Sequence, residues 1–164
     1  MKTVIIYGST TGSTEAVAQD IAGAFPGAVV KAANEAIAED LQGVDLLVLG
    51  ASTWGVGDLQ DDMDVFLGKF SNWDVNVKTA AVFGLGDQLT YADSYVDGIA
   101  DMVDALKNKS IKVVGVWPTD GYGHSASRAQ DGDHFSGLAL DQDNESNKTP
   151  ERIVGWAEKV KQEV

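Results

Sequence analysis

Apolar residues fall along this chain in two alternating rhythms. Short, nearly unbroken runs rich in Val, Ile and Leu occupy residues 2–7, 28–33, 44–50, 78–84 and 111–117, and between them apolar residues return every three or four positions. The runs predict strands and the spaced pattern predicts helices. Residues 44–50 are apolar almost throughout, as in a parallel strand buried on both faces. Val17, Ala18, Ile21 and Phe25 mark a first helix, and residues 35–41, closed by Gly43, a short second one. Met63, Phe66, Leu67 and Phe70 mark a third, and Val96, Ile99, Val103 and Leu106 a fourth. The last helix opens at Thr149-Pro150-Glu151, with proline in the first turn where helices accept it, and runs through Ile153, Trp156 and Val160. This alternation predicts an α/β fold with a parallel sheet of five strands, covered on both faces. Residues 118–147 show neither rhythm and exceed an ordinary connection, so they form a long insert around the last strand. No repeat or linker interrupts the 164 residues, which are expected to make a single domain, 1–164.

In such folds ligands bind beyond the carboxyl ends of the strands, where the strand order reverses. The loop after the first strand, Gly8-Ser-Thr-Thr-Gly-Ser-Thr14, leads into the first helix. A helix start carries free N–H groups and the positive end of the helix dipole. One hydroxyl would suffice to cap it. Ser9, Thr10, Thr11, Ser13 and Thr14 supply five, with Gly8 and Gly12 allowing close approach, which favours a phosphate cradle over a simple cap. No lysine or arginine lies between Gly8 and Thr14, so the Walker pattern is absent and nucleotide hydrolysis is not expected. The loop after the third strand carries Trp54 among small residues, and the loop after the fourth carries Tyr91. Either aromatic alone reads as packing. Beside a phosphate cradle, the pair suits stacking on a flat ring.

Composition narrows the classes further. The chain has no cysteine, which excludes disulfides, iron–sulfur clusters and thiolate metal sites. Its net charge of −13 repels nucleic acid and anionic membranes. Such acidity serves solubility or steers the protein toward partners with basic faces. No apolar run reaches membrane-spanning length, and Met1-Lys2 leads directly into a strand, so a cytoplasmic location is expected.

Ser9-Thr-Thr-Gly-Ser-Thr14, Ser52-Thr-Trp-Gly55 and Gly86-Asp-Gln-x-x-Tyr-Ala-Asp93 together resemble the three flavin-binding loops of the flavodoxins. Thr119-Asp-Gly-Tyr122 and Gly137-Leu-Ala-Leu-Asp-x-Asp-Asn144 extend the likeness to the long-chain subgroup. The resemblance implies a doubly wound sheet of order 2-1-3-4-5 with FMN at the switch point. It implies that Ser9, Thr10, Thr11, Gly12, Ser13 and Thr14 hold the phosphate, while Trp54 and Tyr91 sandwich the ring. Asp87, with Leu85, Gly86 and Asp93 nearby, reads the pyrimidine edge; Thr53 and Asp143 lie near the ribityl chain, with Ser52 in the same binding loop; and Gly55 offers a carbonyl toward N5. Relatives can carry lysine at position 13 and asparagine at 55. The implied function is a low-potential one-electron carrier, not an enzyme, with no catalytic residue or metal ligand. It works as a monomer with reductases and electron acceptors that present basic faces. Two other classes make different demands on these loops. An FMN-dependent reductase should leave one ring face open, and a flavin-free phosphate module leaves both aromatics unexplained.

Other motifs carry less. Gly121-Tyr-Gly-His-Ser-Ala126 fits a dinucleotide turn, but no further βαβ unit follows it. His124 and His134 read as solvent-facing loop residues rather than metal ligands, since no ligand spacing joins them. Asp141-x-Asp143-x-Glu145 lacks the glycine and the final glutamate of a calcium loop.

Overall fold

A computed structural model describes all 164 residues. The chain runs β1 (Thr3–Gly8), α1 (Ser13–Ala24), β2 (Val29–Ala32), β3 (Leu46–Trp54), β4 (Asp58–Leu59), α2 (Asp61–Phe70), β5 (Thr79–Leu85), α3 (Gly98–Asn108) and β6 (Lys112–Val114). There follow β7 (Trp117–Pro118), β8 (Gln130–Asp131), β9 (His134–Phe135), β10 (Leu138–Leu140) and α4 (Thr149–Glu163). The main sheet is parallel, with β2, β1, β3 and β5 side by side in that order. Its far edge is one strand position filled by two pieces. β6 pairs with Thr79–Ala81 at the start of β5, and β10 pairs with Phe83–Leu85 at its end. This is the doubly wound five-position order expected from the sequence, with the insert lodged inside the last strand.

Successive residues of a strand face opposite ways, so the buried strands serve two cores at once. Val4, Ile6, Leu47, Leu49 and Val82 pack under α2 and α3, whereas Ile5, Val48, Ala81 and Phe83 pack under α1 and α4. The helices bury the stripes read from their spacing: Val17, Ala18 and Ile21 on α1, and Ile153, Trp156 and Val160 on α4.

Three expectations need correction. The fourth helix, expected to include Val96, starts only at Gly98, and Val96 precedes it at φ +48°. The fifth strand was expected over 111–117 but stops at Val114. Gly115 turns the chain at φ +82°, where its carbonyl accepts a 2.8 Å hydrogen bond from Trp156 Nε1, and a Cβ there would lie 2.7 Å from that nitrogen. Trp117 and Pro118 instead pair with β9 in a small antiparallel sheet belonging to the insert. The helix expected at 35–41 is two 3-10 turns, Ala33–Glu35 and Ala38–Leu41, with Ala36 and Ile37 extended between them. Asp40 explains the second turn. Its carboxylate accepts from the Ile37 N–H at 2.8 Å and from Lys31 Nζ at 2.7 Å, and such local bonds compete with continuing helix.

Candidate functional site

The ends of β1, β3, β5 and β10 open on a groove with a cavity volume of about 310 Å³. The loop from Ser9 to Gly12 closes on itself, the Gly12 N–H donating to Ser9 Oγ at 3.0 Å. Gly12 then sits at φ +92°, a conformation that costs glycine little, and α1 starts at Ser13 with no side-chain cap. Its first-turn N–H groups are therefore left toward the groove, beside the hydroxyl residues Thr11, Ser13 and Thr14, which line it. Ser9, Thr10 and Gly12 lie outside the lining and shape the loop instead. Thr10 Oγ1 accepts from Gln60 Nε2 at 3.2 Å. Gln60, fully buried, also caps α2 by accepting from the Met63 N–H at 2.9 Å. Gly8 is required here for close approach, because a Cβ would lie 2.1 Å from Gln60 Oε1.

The second wall is a hairpin. β3 runs on to Trp54, turns through 55–57 and returns as β4, with Thr53 opposite Leu59 and Trp54 opposite Asp58. Gly55 takes φ +53°, the left-handed region that glycine enters readily. Ser52, Thr53, Trp54 and Gly55 all line the groove. Thr53 Oγ1 also accepts from the Gly98 N–H at 2.9 Å and so ties the wall to the start of α3.

The third wall is the loop after β5. Leu85, Gly86, Asp87 and Tyr91 line the groove, while Asp93 stands outside it, exposed. Asp87 has a shaping task. Its Oδ1 accepts from the N–H groups of Thr90 (2.9 Å) and Leu89 (3.1 Å) and from Asn144 Nδ2 (2.8 Å). The Thr90 N–H outweighs the opposing effect of burial and, with Asn144, holds this carboxyl below its usual range. Asp143 lines the groove as well, and there burial, then the nearby Asp87 and Asp141, pushes its carboxyl up. Gln142 completes the lining and was missed, although it is the unspecified position inside the Asp141-x-Asp143 motif. Trp54 is 42% exposed and Tyr91 45% exposed, so two large rings on one groove keep nearly half their surface uncovered.

Behind this third wall lies a polar network that sequence reasoning missed. The side chain of Gln88 joins Asp141 and Glu145, and Glu145 joins Lys148 at 2.6 Å and Arg152 at 3.1 Å. Burial alone would raise the Glu145 carboxyl, but bonds from Lys148, Gln88 and Arg152 outweigh it and hold it at about 2. A depressed folded-state pKa stabilises the protein above the ordinary glutamate value and ceases to do so as pH falls. The Glu145 side chain is only 16% exposed, so these bonds are only partly screened by water. Stability should therefore decline from about pH 4.5 toward 2, and Glu145→Gln should lower stability at neutral pH and flatten that decline. Urea denaturation at stepped pH checks this, and an unchanged acid profile would refute it. His124 also needs correction. It stands in a loop but only half exposed, one side of its ring packing on Tyr95, Tyr122 and Phe135, with Nε2 at 2.6 Å from Gln130 Oε1.

Comparison with known proteins agrees with this geometry. A sequence model of the Flavodoxin family matches residues 5–156. Among curated proteins, flavodoxin of Helicobacter pylori is 41% identical over 157 residues, covering 96% of this chain and 94% of its own. Flavodoxin of Nostoc sp. is 39% identical over 161 residues, covering 97% and 95%. The crystal structure of Fusobacterium nucleatum flavodoxin bound to flavin mononucleotide superposes with a TM-score of 0.91 at 28% identity, covering 99% of this chain and 98% of that one.

Proposed function

This chain belongs to the flavodoxin family, and on that premise we propose how its residues serve an FMN-based electron carrier. It is an electron-transfer protein rather than an enzyme, and its partners are redox proteins. The observation that carries the assignment of residues is the groove itself. Two half-exposed aromatic rings line a cavity that also reaches an uncapped helix start rich in hydroxyls and free of lysine.

The donor set fits FMN. When bound, FMN supplies a ring that accepts and releases electrons reversibly. Thr11, Ser13, Thr14 and the first N–H groups of α1 hold the phosphate, with Ser9, Thr10 and Gly12 keeping the loop in shape. Trp54 and Tyr91 cover the ring and exclude water from it. Leu85, Gly86 and Asp87 read the polar edge; Asp87 Oδ1 is engaged with its own loop and Asn144, which leaves Oδ2 and the main chain to face the ring. Ser52, Thr53 and Asp143 accompany the ribityl chain, and Gly55 offers its carbonyl on the same rim.

Asp58 on β4, Asp61 and Asp62 at the start of α2, and Asp93 in the loop after β5 lie close along the chain to residues that line the groove, though outside its lining. Together with Asp87 they disfavour added negative charge, which supports a low potential. The same charges attract partners with basic faces. We further take the chain to be one domain, 1–164, acting as a cytoplasmic monomer; no helix is long and apolar enough to cross a membrane.

A potentiometric titration of the FMN-loaded protein tests the carrier reading. It should resolve two well-separated one-electron potentials. A single two-electron wave, with rapid oxidation of a nicotinamide, would favour the reductase instead.

A further inference from the structure

The stretch from Leu89 to Tyr91 has little apolar anchorage of its own. Leu89 is 65% exposed, Thr90 is exposed, and Tyr91 stands half out of the surface. Gln88, just before it, is only 3% exposed. Its amide reaches two separate parts of the chain, at 123 and at 141–145. Nε2 donates to Asp141 Oδ2 at 2.8 Å and to Glu145 Oε1 at 2.5 Å, and Oε1 accepts from the Gly123 N–H at 2.5 Å. The main-chain N–H of Gln88 donates to the same Asp141 oxygen at 3.2 Å. Both amide hydrogens and the amide oxygen are thus engaged, which is most of what this side chain can offer. Asp141 is fully buried and also accepts from the Asn144 N–H at 3.0 Å and from Asn144 Nδ2 at 2.9 Å. Asn144 Nδ2 in turn donates to Asp87, so the network closes on the loop where it began.

We propose that Gln88 is a positioning residue for the cofactor: its buried amide clips the 85–91 loop into the shape that receives the flavin ring. The proposal rests on the FMN reading above. A loop held by hydrogen bonds alone, and released from them, would have to be ordered at the moment of binding, and that ordering weakens affinity. The clip acts on the ring-reading wall and leaves the phosphate loop untouched. Its loss should therefore weaken every flavin by the same factor, with or without a phosphate.

The test uses apoprotein of the wild type, Gln88→Met and Gln88→Glu, each checked for folding by near-UV circular dichroism and titrated with FMN and with riboflavin by fluorescence quenching. Gln88→Met fills similar space without donors, and affinity for both flavins should fall roughly tenfold or more by a common factor. Gln88→Glu sets a charge against Asp141 and Glu145, so its riboflavin affinity should be weak at neutral pH and should recover, as a ratio to wild type at the same pH, as the new carboxyl protonates; riboflavin is used because the FMN phosphate titrates in the same range, and the ratio cancels Asp143, which lines the groove in both proteins. A folded Gln88→Met that binds both flavins within twofold of wild type overturns the proposal even if it melts earlier. If Gln88→Met does not fold, a ratio of Gln88→Glu to wild-type riboflavin affinity that stays constant with pH overturns it. Wild-type protein that takes up neither flavin overturns the site assignment and the proposal with it, whereas normal wild-type binding with unaffected variants overturns the proposal alone.

Discussion

The apoprotein should bind FMN at least about a hundredfold more tightly than riboflavin. The two ligands differ only by the phosphate, so the ratio reads the loop between Gly8 and Thr14 in isolation. That loop offers Thr11, Ser13 and Thr14 together with the N–H groups of an uncapped helix start. Riboflavin leaves those groups to water, since Thr11 and Ser13 are exposed. A hydrogen bond to a charged group contributes about 1.5–3 kcal/mol, so two of them to the phosphate at roughly 1.5 kcal/mol each already exceed a hundredfold. The favourable end of the α1 dipole adds to the preference for an anion. FAD should also bind weakly, because an adenylate follows where a terminal phosphate would be enclosed. Fluorescence titration measures all three, and equal affinity for FMN and riboflavin would refute the cradle.

Gly50→Ala should be among the most damaging single substitutions available in the sheet. Gly50 lies on β3 directly opposite Phe83 on β5. A Cβ added there would stand 1.9 Å from one Phe83 ring atom and 2.0 Å from another. Phe83 is fully buried in the core beneath α1 and α4, so the ring has no empty space to enter. Overpacking of this kind costs about 3 kcal/mol, which in a domain of this size lowers the melting temperature by roughly 6–12 °C. Shortening the obstacle tests the cause. Phe83→Leu in the Gly50→Ala background should recover part of the loss, because the two sites touch and their effects do not add. Calorimetry decides, and an unchanged melting temperature for Gly50→Ala would refute the argument.

The parts of the fold that were legible in the sequence are those governed by period and by main-chain demands. Residues 44–50 read as a doubly buried strand because nothing polar but Asp45 interrupts them. The three loops read as a site because hydroxyls, glycines and aromatics cluster at successive strand ends. What stayed illegible depends on partners far away in the chain. Leu138–Leu140 is too short to show a period, and only the free second half of β5 makes it a strand. The helical spacing at 35–41 was outweighed by one aspartate bonding its neighbours. Gln60, Gln88 and Gln142 look like surface residues in any sequence, and burial of an amide appears only once its partners are folded around it. His124 passed as solvent-facing because the rings it packs on come from both sides of the insert and from residue 95.

The divided edge strand has a consequence for how ligand and chain stability are linked. The Gly86 N–H donates to the Leu140 carbonyl at 3.1 Å, and Leu85 lies opposite Leu140, so the end of β5 and the end of β10 meet along a seam beneath the groove. Between β6 and β10 the chain makes the whole excursion of residues 115–137, and closing so long a loop carries an entropy cost that only three paired residues of β10 oppose within the sheet. Leu85, Gly86 and Asp87 line the groove from one side of the seam, and Gln142 and Asp143 from the other. A ligand gripped by both sides is therefore a clasp on the excursion: it binds only the closed chain, and every gain in its affinity is a gain in the lifetime of the closed edge.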